Sequence, residues 1–262
     1  CFTDHVDYGV RDDWDSGKPI IYRDGSAIVN VNYPLYVKQI SELQKKYSKD
    51  ISIKLGLEFG IQTHTIPQYE ALFKKYPFDF IIASTHAINR YDLAWGELQK
   101  TRNKEQLQKY YFETVLENVK KYDKFSVYER YYEELLNVVK SYKNYSVLGH
   151  PDLIVRYDEQ GVYPFEKVKP IITEILKIVI ADGKGIEFNT SYHRYGLKNT
   201  TPSIDILKLY KELGGEIITI GSDSHKPEHL GAYIDEAKGI LKEIGFTRFC
   251  TFEKMKPIFH EL

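Results

Sequence analysis

Short apolar segments alternate with longer amphipathic segments along most of the chain. The apolar segments are rich in β-branched and aromatic residues, a pattern that is typical of buried strands. Residues 1–5 (CFTDH) also resemble the end of a strand. The other predicted strands lie at residues 52–57, 78–83, 146–149, 185–188, 216–220 and 247–252.

The amphipathic segments between these strands predict helices. In the first of them, Leu35, Ile40 and Leu43 share one side of the predicted helix. Ser203 is a candidate N-cap, and the Gly-Gly pair at 214–215 is expected to end the same helix. The predicted helices cover residues 34–47, 67–76, 104–142 (as two helices that divide near 124–126), 164–181, 203–213 and 227–244.

The repeated order of strand, loop and helix predicts a parallel sheet, because parallel neighbours need crossover connections. A barrel or a wound sheet of the α/β class satisfies this pattern. The 262 residues suit one α/β domain with a full core. No repeat, linker or low-complexity segment is visible, so we predict a single domain over residues 1–262.

Composition and charge exclude several classes of protein. The net charge of -1 gives no reason to expect a nucleic-acid or membrane surface. The two cysteines are too few for a disulfide framework or a cysteine-type zinc site. Neither a transmembrane run nor a signal peptide is visible, so we expect a cytoplasmic protein. The oligomeric state cannot be inferred from the sequence.

Side chains of the kind that bind metals follow five of the predicted strands. A single histidine or glutamate in such a place is more often an ordinary loop residue than a ligand. Here, however, four of the eight histidines occupy strand ends, and strand ends of a barrel meet on one face. Imidazoles with carboxylates bind zinc, iron or manganese. The candidate ligands are His5, Glu58, His86, His150, Asp223 and His225.

Five motifs carry a resemblance to a known family. They are residues 3–5 (TDH), 56–58 (GLE), 84–86 (STH), 149–152 (GHPD) and 221–225 (GSDSH). With these motifs the chain resembles the PHP (polymerase and histidinol phosphatase) superfamily over nearly its whole length. Residues 187–191 (EFNTS) are most similar to the histidinol-phosphate phosphatase branch.

The resemblance implies a fold and a metal site. The fold would be a distorted (β/α)7 TIM-like barrel, and the site would hold two to three divalent ions (Zn, Fe or Mn). Glu58 would bridge the first and second ions, and His86 and His150 would complete the second. Asp223 would bind the first ion. The third would be bound by His5 and His225.

The resemblance also implies a reaction. The family branch hydrolyses L-histidinol phosphate to L-histidinol and phosphate, a step of histidine biosynthesis, and Asp223, His225 and Arg156 would be catalytic. Arg156 and Arg194 are the main candidates for contact with the phosphate, and Arg90 and Asn189 are further candidates. The expected partner is thus a small phosphomonoester.

One family motif has no counterpart here. The His-x-His of the family's first strand is absent, as is a further histidine shortly after it. We expect that a native segment with the first βα unit precedes Cys1, or else that this form is destabilised and poorly active. As the sequence stands, the first and third metal sites are incomplete, whereas the second, made of Glu58, His86 and His150, is whole.

Two other functions stay open at this point. One is a phosphoesterase of the same fold that acts on a different phosphomonoester, such as a nucleotide or phosphotyrosine. The other is a catalytically silent PHP-type domain with a structural or binding role, which the absent His-x-His motif favours. Activity against several phosphomonoesters separates the enzymatic hypotheses, and the native N-terminal sequence tests the silent one.

Overall fold

A computed structural model describes most of the chain. It covers residues 1–20, 22–23, 26–27, 29–88, 91–92, 124–157 and 163–262. Arg90 and the first of the two helices predicted within 104–142 lie outside the described residues.

The described strands and helices follow the predicted alternation. In chain order the strands are β1 (Phe2–Val6), β2 (Tyr22–Arg23), β3 (Ser26–Ala27), β4 (Leu55–Gly60), β5 (Phe80–Ser84), β6 (Ala87–Ile88), β7 (Tyr91–Asp92), β8 (Val147–Leu148), β9 (Gly185–Asn189), β10 (Ile218–Gly221), β11 (Arg248–Glu253) and β12 (Lys256–Glu261). The α-helices are α1 (Tyr33–Lys46), α2 (Ile66–Lys75), α3 (Lys124–Ser141), α4 (Phe165–Ala181), α5 (Ile204–Glu212) and α6 (Ile234–Ile244).

A six-stranded sheet in the order β1-β4-β5-β8-β9-β10 forms the centre of the described structure. Every neighbouring pair in it is parallel. The helices α1, α2, α3, α4 and α5 lie in the connections between its strands. The prediction of a parallel α/β sheet is therefore confirmed, and all the carboxyl ends of these strands lie at one edge of the sheet.

The two faces of this sheet are packed differently. Leu57 and Phe59 point from β4 into the large apolar core shared with the helices. On the other face, Phe80 and Ile82 of β5 pack against Phe252 of β11, and the rings of Phe80 and Phe252 lie 5.1 Å apart. The β11–β12 hairpin therefore covers apolar residues of the face from which Glu58 projects.

The hairpin itself was predicted in part. The strand expected at 247–252 is β11, but β12 was not anticipated, because its side chains are mostly exposed and lack a clear apolar pattern. Lys254 and Met255 connect the two strands with φ of 50° and 63°. Both values are positive, as tight hairpin turns require, although the usual Asn-Gly signal is absent.

The predicted helix 227–244 is wrong in its first half. A 3₁₀ turn at Pro227–His229 is followed by a break, and α6 begins at Ile234. Gly231 and Tyr233 have φ of 72° and 61°, a left-handed conformation that interrupts a helix. By contrast, the predicted cap is confirmed, since the Ser203 side chain accepts a hydrogen bond from the Ile206 amide at 3.4 Å.

A membrane-spanning helix is not found among the described residues, where every helix is too short or too polar to cross a bilayer.

We predict that the hairpin contributes strongly to stability. Phe252→Ala removes a buried ring that packs on Phe80, and should lower the free energy of unfolding by about 3 kcal/mol. Phe259→Ala changes a ring of the same hairpin that is 38% exposed, and should cost less than about 1 kcal/mol. Urea denaturation of both variants measures the difference, and a cost for Phe252→Ala below about 1 kcal/mol would show that the hairpin contributes little to stability.

Candidate metal centre and active site

The candidate site lies at the carboxyl ends of the parallel strands. Glu58 alternates along β4 with Leu57 and Phe59, which face the helices, so its side chain points to the opposite face. His5 of β1 is in register with Glu58. His86 lies two residues after the end of β5, and His150 lies two residues after the end of β8. The strand order thus brings side chains that are far apart in the chain to one place.

Glu58, His86 and His150 form a compact group that is centred on one carboxylate oxygen of Glu58. Glu58 Oε1 lies 3.0 Å from His86 Nε2 and 2.9 Å from His150 Nε2. The Ser84 hydroxyl donates a hydrogen bond to the same oxygen at 2.7 Å. One donor atom from each of Glu58, His86 and His150 lies within 4.8 Å of the others, close enough to surround a single ion. We call these three residues the Glu58 group.

His5 and His225 extend the site in a row of imidazoles. His5 Nδ1 is 3.5 Å from Glu58 Oε2. The His5 ring centroid lies 5.3 Å from that of His86 and 5.7 Å from that of His225. His225 is largely exposed, and its Nδ1 is 3.5 Å from Asp223 Oδ1. The residues predicted as metal ligands are therefore neighbours in space, while their roles as ligands remain predictions.

Two of these residues have an unusual backbone. His150 has φ of 25° and Asp223 has φ of 48°. Positive φ is uncommon for residues other than glycine and costs free energy, so the surrounding structure must hold these residues in place. Such strain is more frequent at functional sites than elsewhere in proteins.

Asp7 is a site residue that the sequence reasoning missed. It follows β1, is buried, and its Oδ1 lies 2.7 Å from His86 Nδ1. Asp7, His5 and His86 form a second cluster of possible metal donors. The available signal was its position two residues after His5, since residues at that spacing on a strand project to the same side.

The electrostatics of the Glu58 group follow from these contacts. Burial alone would raise the pKa of Glu58, but the charges on His5 and His86 and the hydrogen bonds of His150 and His86 lower it well below its usual value. Burial alone would lower the pKa of His86, but Asp7 and Glu58 raise it to about 10. Burial lowers the pKa of His150, and Glu58 opposes this shift in part.

These shifts describe a site suited to cations. His86 carries its proton between two carboxylates, and a metal ion at Nε2 would have to displace that proton. One carboxylate with two imidazoles is a donor set that zinc, iron and manganese accept. The Glu58 group therefore fits a divalent metal by chemistry and by spacing.

Arg156 lies on a short 3₁₀ helix, Leu153–Tyr157, which follows His150 in the chain. Its Nη2 donates a hydrogen bond to Ser191 Oγ at 3.0 Å and lies 3.7 Å from Asp223 Oδ2. Its guanidinium group also stacks on the ring of Tyr195 at 4.0 Å. The side chain is mostly buried and held on three sides, so its charge is fixed at the edge of the site.

The other predicted substrate contacts differ in their surroundings. Arg194 donates hydrogen bonds to the carbonyls of Ser222 and Asp223, and its Nη2 is 3.9 Å from Asp223 Oδ2. Asn189 uses its amide within the protein, because Oδ1 accepts from the Ser191 amide and Nδ2 donates to Glu187. Arg90 lies outside the described residues.

Glu187 is a second buried carboxyl group whose chemistry the sequence did not reveal. Burial, together with the charges of Glu58 and Asp223, raises its pKa to about 8, although Asn189 and Arg156 oppose the shift. Gly221 makes room for it, because a Cβ at Gly221 would collide with Glu187 Oε1. The available signal was a glutamate between the apolar residues Ile186 and Phe188 of β9.

The fold and these donors define an α/β protein with a candidate metal centre at the carboxyl ends of its strands. Residues 1–191 match the family described as the PHP domain. The chain belongs to the PHP domain family.

Relatives and a solved structure agree with this membership. The histidinol-phosphatase of Lactococcus lactis is 30% identical, over 98% of this chain and 83% of the relative. A Clostridium acetobutylicum protein named "Probable histidinol-phosphatase" is 28% identical, over 89% of this chain and 82% of the relative.

The crystal structure of the Lactococcus lactis histidinol phosphate phosphatase, complexed with zinc, L-histidinol and phosphate, has a TM-score of 0.71 to this chain. The two share 27% identity, over 98% of this chain and 86% of the other. This likeness confirms the predicted TIM-like fold class of the PHP family.

We predict that Glu187 makes stability depend on pH. Its pKa is raised in the folded protein from an ordinary 4.5 to about 8, so the folded state keeps a proton that the unfolded state loses. Stability should therefore fall as pH rises from about 4.5 to about 8. Glu187→Gln cannot ionise, so the difference in Tm between the variant and the wild type should grow in favour of the variant over this range.

Thermal melts at several pH values with a chelator present measure this difference. Glu212→Gln, which changes an exposed carboxyl at the end of α5, is the matched control and should show no such trend. Parallel curves for the wild type and Glu187→Gln would contradict the prediction.

Proposed function

We propose that this chain is a metal-dependent phosphomonoesterase that hydrolyses L-histidinol phosphate to L-histidinol and phosphate. Two observations carry the proposal together: the Glu58 group itself, and two guanidinium groups, those of Arg156 and Arg194, that both approach the predicted metal ligand Asp223. Two relatives are named for this activity. The solved relative holds zinc, L-histidinol and phosphate together.

We assign the metal donors to the residues that surround Glu58. Glu58, His86 and His150 would hold one divalent ion, and His5, Asp223 and His225 are donors for one or two more. Zinc, iron and manganese all suit these ligands. When bound, such ions supply Lewis acidity that activates water and neutralises charge on the phosphoryl oxygens.

Arg156 is suited to bind the phosphate because it is already ordered. Ser191 accepts one of its hydrogen bonds and Tyr195 supports the plane of the guanidinium group. Such a cation loses little side-chain freedom when an anion binds, and it is in place for the charge that develops during hydrolysis. The planar fork of a guanidinium group also suits bidentate contact with phosphoryl oxygens.

Arg194 has a different part in the proposal. Both of its terminal nitrogens hold carbonyls of the segment 222–223. It therefore fixes the loop that carries Asp223 in its left-handed conformation, and adds positive charge beside the phosphate position. Asn189 stabilises the turn that presents Ser191, and through Ser191 it supports Arg156.

We predict that the protein prefers one phosphomonoester. With divalent metal present, kcat/KM for L-histidinol phosphate should exceed that for nucleoside monophosphates, phosphotyrosine and simple alkyl phosphates. Release of inorganic phosphate from a panel of these esters, by the full-length protein, measures the preference. Equal rates across the panel would favour a phosphoesterase of another specificity, and no hydrolysis of any ester would favour a silent domain.

We predict that Arg156→Ala lowers kcat/KM by about 10²- to 10³-fold, as for the loss of one group that stabilises transition-state charge. Arg156→Lys keeps the charge but loses the fork and the stacking on Tyr195, so its activity should be intermediate. Inhibition by inorganic phosphate should weaken in the same order.

Arg248→Ala is the control for Arg156, because it removes a surface guanidinium group that pairs with Glu216 far from the Glu58 group along the chain. It should leave steady-state kinetics unchanged. A change of less than about twofold in Arg156→Ala would remove Arg156 from the phosphate site.

A further inference from the structure

His86 is held by a different carboxylate at each ring nitrogen. Its Nε2 faces Glu58 Oε1 at 3.0 Å, within the Glu58 group, and its Nδ1 faces Asp7 Oδ1 at 2.7 Å. An imidazole binds one ion through one nitrogen, and the proton on the other nitrogen then needs an acceptor. Asp7 is placed to be that acceptor.

Asp7 is itself held firmly. Its backbone N–H donates to Asn30 Oδ1 at 2.8 Å, and its second carboxylate oxygen, Oδ2, pairs with Arg11 Nε at 3.0 Å. Each carboxylate oxygen therefore has one cationic or N–H partner. Because Arg11 already supplies a positive charge at Oδ2, Asp7 is better suited to accept a hydrogen bond from His86 than to bind a further cation.

The neighbouring strand leaves space for this contact. Gly60, the last residue of β4, has no side chain at the point where Asp7 and His86 meet. A Cβ at Gly60 would collide with Asp7 Oδ1 and would lie 2.8 Å from His86 Nδ1. Thus three elements of the structure, β1, β4 and the segment after β5, accommodate one hydrogen bond.

We propose that Asp7 is a positioning residue that orients His86 and fixes its tautomer, with the proton on Nδ1 and Nε2 directed to the metal. This inference rests on the proposed metal site of the Glu58 group. His150 offers a contrast: its Nδ1 is buried without a hydrogen-bond partner among the described residues, so the orienting carboxylate serves His86 in particular.

The test is metal affinity in Asp7→Ala and Asp7→Asn. After chelation, zinc is titrated in competition with a chromophoric chelator, and elemental analysis gives the metal-to-protein ratio at saturation. Asp7→Ala should bind zinc about 10- to 100-fold more weakly with an unchanged ratio, because the ligands remain but His86 is no longer oriented. Asp7→Asn keeps an oxygen acceptor and should lie between Asp7→Ala and the wild type.

Two further measurements separate positioning from general damage. The visible spectrum of the cobalt(II)-substituted protein should change in Asp7→Ala, since the spectrum reports ligand geometry. Asp79→Asn is the matched control: Asp79 accepts hydrogen bonds from the amides of Leu55 and Lys254 at the opposite end of the sheet. It should lower the unfolding midpoint and leave zinc affinity and the cobalt spectrum unchanged.

The outcomes distinguish the proposals. Zinc affinity within twofold of the wild type in Asp7→Ala would overturn the positioning role while the proposed function stands. Loss of one equivalent of metal at saturation would overturn it too, because Asp7 would then be a direct ligand. A wild-type protein that binds no zinc, iron or manganese would overturn both this inference and the proposed function.

Discussion

A buried carboxylate oxygen shared by two imidazoles is the interaction on which the site depends. Glu58 is 6% exposed, and a buried charge is strongly unfavourable unless it is paired and hydrogen-bonded. Its Oε1 meets Ser84, His86 and His150. These contacts tie the ends of β4, β5 and β8 together, so the same hydrogen bonds that satisfy the charge also place the donors around one point.

The packing of the sheet explains why this charge can be buried at that point. One face supports the helices, and the apolar part of the other face is covered by the β11–β12 hairpin. The carboxyl ends are left for polar groups. Gly60 and Gly221 lack side chains at the points where the carboxyl groups of Asp7 and Glu187 pack. Glycines within the strands therefore provide the space for these two carboxyl groups.

Asp7 and Glu187 show where prediction from the sequence stopped. Asp7 lies just after the TDH motif and Glu187 is the first residue of the EFNTS motif, yet neither was assigned a chemical role. Asp7 is recognised as a site residue only by its contact with His86, which is 79 residues away in the chain. The raised pKa of Glu187 follows from its burial and from the nearby charges of Glu58 and Asp223. Long-range contacts of this kind have no local signature.

Local patterns were sufficient for the parallel α/β sheet, the Ser203 cap and the strand ends that carry metal-type side chains, because periodicity and capping depend on neighbours in the chain. The break before α6 and the turn that leads into β12 depend on left-handed backbone at Tyr233, Lys254 and Met255. None of these three residues is a glycine, so the sequence did not signal that conformation. Packing alone established which atoms meet and which groups keep their protons, since a pKa depends on burial and on charges brought from distant segments.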